Sequence, residues 1–141
     1  MWLMDIRELL LSTRRIALVG ASNKPDRASF RVMRFLLERG YQVTPINPGL
    51  AGQDILGQRV VASLAEAGPL DLVDVFRRSE EAGAVMDEAV ALGARAVWLQ
   101  LGVVDEAAAA RARAKGVVVV MDRCPVIEWG PAGLPEHVAK T

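Results

Sequence analysis

Residues 15–25 read RIALVGASNKP, an apolar run that closes on Gly20 and opens into a polar loop. Four apolar residues in succession, Ile16 to Val19, with no polar alternation, mark a strand buried on both faces, as central strands of parallel sheets are. Beyond the loop, from Asp26 to Arg39, Phe30, Met33 and Leu37 share one face with Leu36 beside them. A helix is expected there, with Gly40 placed to end it. Tyr41 to Ile46 (YQVTPI) then restarts as a strand, with Pro45 at its end. Strand, loop, helix and strand make a βαβ unit.

The same alternation continues along the chain. Asp71 to Phe76 (DLVDVF) is the third strand; its two faces both carry acids, which suits an edge. Ser79 reads as an N-cap, Glu80 and Glu81 occupy the first turn, and Val85, Met86, Ala89 and Val90 point inward up to Gly93. Ala96 to Gln100 is the fourth strand. Asp105 caps a helix whose last turn holds Arg111, Arg113 and Lys115, and Val117 to Met121 (VVVVM) is a fifth, fully buried strand. The segment from Asn47 to Leu70, with four Gly and two Pro, reads as loop, a short strand near Val60 and a small helix from Ser63. The expected fold is α/β: a Rossmann-like doubly wound sheet of five mainly parallel strands, ordered 3-2-1-4-5, with helices on both faces.

A chain of 141 residues is expected to be one domain, residues 1–141, with a core over about 12–128 and a tail over 129–141. Seventeen basic residues balance seventeen acidic ones, so no net field draws nucleic acid or a membrane surface, and any anion site must be local. One Cys and one His cannot form a disulfide or a metal framework. The stretch MWLMDIRELLLSTRR interrupts its apolar residues with Asp5 and Arg7, unlike a secretion signal or a membrane span. A cytoplasmic protein is expected.

In a doubly wound sheet, ligands bind outside the carboxyl ends of the strands, so the loops 20–26, 45–49, 76–79, 100–104 and 121–125 are the candidates. Gly20, Ala21, Ser22, Asn23 and Lys24 lie between a buried strand and a helix, where backbone N–H groups and the helix dipole meet a phosphate. The plainer reading is a polar turn with a helix cap. The dinucleotide fingerprint is missing: Gly20 has no second glycine two residues on, and no acid follows Pro45-Ile46-Asn47-Pro48 until Asp54. Asn47 and Asn23 are the only two asparagines, and both fall on this rim. Phe76, Arg77 and Arg78 add two guanidinium groups suited to phosphate, or simply a solvated loop. Gln100 offers a donor and an acceptor, and Gly102 allows close passage of a ligand. Cys124, a lone Cys beside a strand end, reads as a small buried filler, and with no His or second Cys nearby it is given no catalytic role. His137 sits in a Pro- and Gly-containing tail, and Trp98 reads as core.

At these loops the sequence resembles the small CoA-binding domain proteins, single-domain relatives of the amino-terminal domain of the succinyl-CoA synthetase alpha subunit. RIALVGASNKP, GYQVTPINP, LVDVFRRSEEA, ARAVWLQLGV and GVVVVMDRCPVIE carry the resemblance, in order, over residues 12 to 128. It implies coenzyme A or an acyl-CoA as ligand. The phosphates would lie near the Gly20 loop, the adenosine part near Pro45 to Pro48 and Phe76 to Arg78, and the pantetheine arm toward Gln100 to Gly102. His137 matches no part of the synthetase's phosphohistidine segment, so the ligase activity does not carry over. The leading expectation is a CoA-binding protein with no catalysis of its own. The alternative is the CoA-binding subunit of a multi-chain acyl-CoA ligase, with a protein partner or homodimer left open. An NAD(P)-binding redox regulator has the missing glycine and acid against it.

Overall fold

Ile16, Ala17, Leu18 and Val19 of β1 (Arg15–Val19) are all buried, because the strand is hydrogen-bonded along both edges. A computed structural model describes residues 5–138. Residues 1–4 and 139–141, the start of the amino-terminal stretch and the last of the expected tail, lie outside the described residues. After α1 (Ile6–Ser12) and β1, the chain forms α2 (Ala28–Arg39) and β2 (Gln42–Ile46). A small antiparallel pair follows, β3 (Asp54–Ile55) with β4 (Gln58–Arg59). The chain then alternates through β5 (Leu72–Val75), α3 (Ser79–Ala91), β6 (Ala96–Leu99), α4 (Glu106–Ala114) and β7 (Val118–Val120), and ends in α5 (Pro125–Trp129).

The main sheet is parallel and ordered β2-β1-β5-β6-β7, a Rossmann-like doubly wound arrangement. Counted along the five strands this is 2-1-3-4-5, so the expected order 3-2-1-4-5 is corrected. The place beyond β2 is taken instead by the segment near Val60, through a single parallel bridge between Ile46 and Val61. β5 is therefore an interior strand, and its four residues are buried despite Asp74. β7 is the edge: Val118 and Val120 are half-buried, where full burial was expected.

Side chains alternate between two apolar layers, as the pleat requires. Ala17, Val19, Val73, Val75, Val97 and Leu99 face α3 and α4, whose Ala82, Met86, Ala89, Ala108, Ala109 and Ala112 close that layer. Ile16, Leu18, Leu72 and Trp98 face α1, α2 and α5. Small residues let α3 and α4 come together: a Cβ on Gly83 would stand 2.3 Å from the Asp105 carboxylate that caps α4. The inward face of α2 is Val32, Met33 and Leu36, while Phe30 and Leu37, expected on that face, are half-buried flanks. Two helices escaped the sequence reading, α1 and α5. Trp129 of α5 meets Phe35 and Tyr41 edge-on at 5.3 and 6.1 Å and donates through Nε1 to the Pro135 carbonyl. The segment after it folds back, so that Val138 N–H reaches the Arg39 carbonyl and the His137 ring lies 3.0 Å from the Glu38 carbonyl.

Candidate functional site

Gly20 leaves β1 in the left-handed region, φ +88°, and its backbone presses against β5: an added Cβ would lie 2.2 Å from the Phe76 carbonyl oxygen. Only glycine fits that approach. The Gly20 and Ala21 N–H groups both donate to the Ile46 carbonyl, so the end of β2 anchors the loop. Asn47 completes the join, donating through Nδ2 to the Ala21 carbonyl at 2.8 Å and accepting the Gly49 N–H at 2.8 Å. Its side chain is a brace between two loops. Ser22 is likewise engaged, its hydroxyl accepting the Lys24 N–H at 3.1 Å.

These loops wall a cleft of about 850 Å3 at the carboxyl ends of the strands, within the size range of small-molecule sites. Ten of the thirteen residues singled out from sequence line it: Gly20 to Lys24, Asn47, Phe76, Arg77, Arg78 and Gln100. Three do not. Pro45 is buried in β2 opposite Leu18, Pro48 starts an exposed 3-10 turn, and Gly102 closes the turn after β6 with its N–H on the Asp122 carboxylate at 2.7 Å. Ser79 is corrected too. Arg78 holds the N-cap position of α3, while the Ser79 hydroxyl accepts the Val104 N–H and so ties α3 to the loop after β6.

The charged side chains in the lining are Lys24, Arg27, Arg77, Arg78 and Glu81, four cations against one carboxylate. Arg78 pairs with Glu81 at 3.5 Å, whereas Lys24, Arg27 and Arg77 have no acidic partner among the described residues. α2 begins at Ala28 with no side-chain cap, and α3 begins beside Arg78 with none either. Both amino termini open on the cleft, through Ala28 and Ser29 of α2 and through Glu81 in the first turn of α3. Uncapped N–H groups, two helix dipoles and three unpaired cations are the chemistry that suits a polyanion. Sequence reading missed Arg27, Ser29 and Val32. The signal was present, since any helix following the Gly20 loop must aim its first turn at that loop's ligand.

Two buried side chains carry acceptors without a partner, Gln100 in the cleft lining and Asp74 within the sheet. Gln100 is 6% exposed and its Oε1 has no hydrogen-bond partner. Asp74 lies two residues below Phe76 on the same strand face, between Leu18 and Trp98, with both carboxylate oxygens unpartnered. Burial holds its carboxyl well above the usual carboxylate range. Cys124, expected as buried filler, is half-buried and lines the cleft. No group of three or more His, Cys, Asp or Glu able to hold a metal occurs among the described residues. No helix of the described chain is long and apolar enough to cross a membrane.

The CoA binding domain family matches residues 14–130. The chain belongs to that family. A Bacillus subtilis (strain 168) member, YneT, described as uncharacterized, is 41% identical over 121 residues, covering 85% of this chain and 88% of that protein. Among solved structures, a Thermus thermophilus protein, cell-free ID.343, is 35% identical with a TM-score of 0.84, covering 90% of this chain and 96% of its own. A hypothetical protein from Pyrococcus horikoshii OT3 is 34% identical with the same TM-score, covering 90% and 89%. A dinucleotide forming acetyl-coenzyme A synthetase of Ca. Korarchaeum cryptofilum shares the fold alone: 23% identity, TM-score 0.69, and 82% of this chain against 27% of that one. The CoA binding domain family thus embraces the whole sheet and every loop of the cleft.

Proposed function

We propose that the cleft binds coenzyme A or an acyl-CoA and that the chain performs no catalysis of its own. The observation that carries this is the unbalanced charge of the lining, Lys24, Arg27 and Arg77 unpaired beside two uncapped helix termini, in a chain of a CoA binding domain family. CoA brings several phosphate charges on a long, partly apolar body, and a neutral protein meets it only by concentrating cations locally. The Gly20 to Lys24 loop and the start of α2 receive the phosphates. The face between Asn47 and Phe76 receives the adenosine, and the Gln100 side receives the pantetheine arm. Catalysis lacks its parts. His137 packs at the carboxyl end of α2, a helix length from the cleft, and among the described residues no side chain is hydrogen-bonded to the Cys124 thiol.

Thermal unfolding with CoA, acetyl-CoA, NADH and ATP in parallel tests this reading. A ligand at 100 times its Kd stabilises by about 2.7 kcal/mol, and CoA is expected to give such a shift. An Arg27→Ala, Arg77→Ala double variant is expected to weaken CoA at least tenfold. Stabilisation by NADH or ATP but not by CoA sinks the assignment.

A second reading, the CoA-binding subunit of a multi-chain acyl-CoA ligase, is favoured by the synthetase fold, of which this chain spans about a quarter. Copurification with a nucleotide-binding partner, and phosphate incorporated on His137, would be its signature. A chain that purifies alone and takes up no phosphate speaks against it.

A further inference from the structure

The two ends of the cleft differ in chemistry. The loops after β1 and β5 and the start of α2 bring Lys24, Arg27, Arg77 and Arg78, while the loops after β6 and β7 bring Gln100, Leu101, Val103 and Cys124, with no cation in the lining. Leu101 is also 55% exposed, and beyond it stand Val104 at 39%, Val126 at 39% and Ile127 at 57%. Seven large hydrophobic residues are exposed among the described residues, and these four all belong to the loops after β6 and β7 and the first turn of α5. Their concentration on the segments that follow two neighbouring strands, with Leu101 in the cleft lining, is unlike the scatter of single exposed apolar residues on an ordinary surface.

The patch is held in shape before any ligand arrives. Asp122, in the left-handed region at φ 58°, accepts the Gly102 N–H at 2.7 Å, and the Arg123 N–H reaches the Leu99 carbonyl. Trp98 donates through Nε1 to the Arg123 carbonyl at 2.7 Å. The basic side chain of these loops, Arg123, is already paired with Glu128 at 3.4 Å. Gln100 stands between the two ends, its Oε1 buried and without a donor. An amide N–H of a pantetheine arm would supply one. In a pantetheine arm the terminal amide is separated from the sulfur by only two carbon atoms, so an arm held at Gln100 delivers its sulfur to Leu101 and Cys124.

We propose that the β6–β7 end of the cleft is an acyl subsite, and that the ligand class is acyl-CoA thioesters with an uncharged apolar chain. This rests on the CoA reading above and goes beyond it by choosing among acyl groups. The acyl chain lies over Leu101 and Val103 and continues onto Val126 and Ile127. A carboxylate-bearing acyl group meets no free cation there and would lose its hydration without a partner.

Calorimetric titration of the full chain with CoA, butyryl-CoA, hexanoyl-CoA and succinyl-CoA, beside sedimentation to fix its mass, tests the proposal. Hexanoyl-CoA is expected to bind about tenfold or more tightly than CoA, with butyryl-CoA between them, since each buried methylene strengthens association. Succinyl-CoA is expected to bind more weakly than butyryl-CoA, which has the same number of acyl carbons. A Leu101→Ser, Ile127→Ser double variant is expected to bring the hexanoyl-to-CoA ratio close to one. Equal affinities along the series with CoA binding intact overturn the subsite and leave the CoA reading standing. A dimer that becomes monomeric on Ile127→Ser, with the series unchanged, also overturns it, assigning the patch to a second copy. Failure of every thioester and of CoA removes both readings together.

Discussion

Asp74 is the residue least at home in its surroundings. It stands in an interior strand between Leu18 and Trp98, fully buried, with neither carboxylate oxygen hydrogen-bonded. Desolvation raises its pKa in the folded protein, so folding favours the protonated form. Below the unfolded pKa both states hold the proton and nothing is lost. As pH rises from about 4, the unfolded chain releases its proton first, and stability falls by up to about 1.4 kcal/mol per pH unit until the folded pKa is reached. Asp74→Asn removes that titration. Its Tm relative to the parent is expected to climb between about pH 4 and pH 7, and a constant difference across that range would contradict the assignment. Gly20 is constrained by space as well as by φ. Gly20→Ala forces the loop off the Phe76 carbonyl, with an expected loss of at least about 1–3 kcal/mol in urea unfolding and weaker CoA binding; unchanged stability would mean the loop is free to move.

At the scale of elements, β5 and α5 show what local pattern conceals. DLVDVF alternates and carries two acids, so it reads as an edge, yet it lies between β1 and β6 because Asp71 and Asp74 have different fates. Asp71, just before the strand, accepts the Arg14 and Arg15 N–H groups at 3.0 and 2.9 Å, and Asp74 is buried. α5 is five residues long, far below the length at which a helix holds itself in water. It exists through Trp129, packed on Phe35 and Tyr41 and hydrogen-bonded to Pro135. Trp129→Ala is expected to cost about 3–5 kcal/mol in urea unfolding, as for other large buried aromatics; a loss under about 1 kcal/mol would show that the carboxyl-terminal segment docks by other means. Tyr41 shares this cluster, its hydroxyl donating to the Leu10 carbonyl, which is how α1 joins the layer.

On the scale of the whole molecule, net charge is zero while the cleft carries four cations and one carboxylate. The attraction for a polyanion is therefore short-ranged and exposed to solvent ions. Raising salt from about 0.05 to about 0.5 M, which shortens the screening length several-fold, is expected to weaken CoA binding markedly without lowering Tm. Salt-independent affinity would place the binding energy in apolar contacts instead. The cleft itself is a product of topology. β1 sends the chain to α2 on one face, β5 sends it to α3 on the other, and the two helix starts are left facing each other across the gap between adjacent strands.

Periodicity and turn residues determined the α/β class, all five strands of the main sheet and ten of the cleft-lining residues, because hydrophobic period and strand-to-helix loops are local properties of the chain. Strand order was not legible. It depends on which edge of β1 accepts which later strand, and that is settled by burial across some fifty residues of sequence, with Val61 contributing only one bridge where a third strand was expected. The place of Cys124 on the cleft wall, the bracing of two loops by Asn47 and the burial of Asp74 and Gln100 without partners likewise came only with tertiary structure. Each is a relation between side chains far apart in sequence, and solvent exclusion around them is decided only once the sheet is assembled.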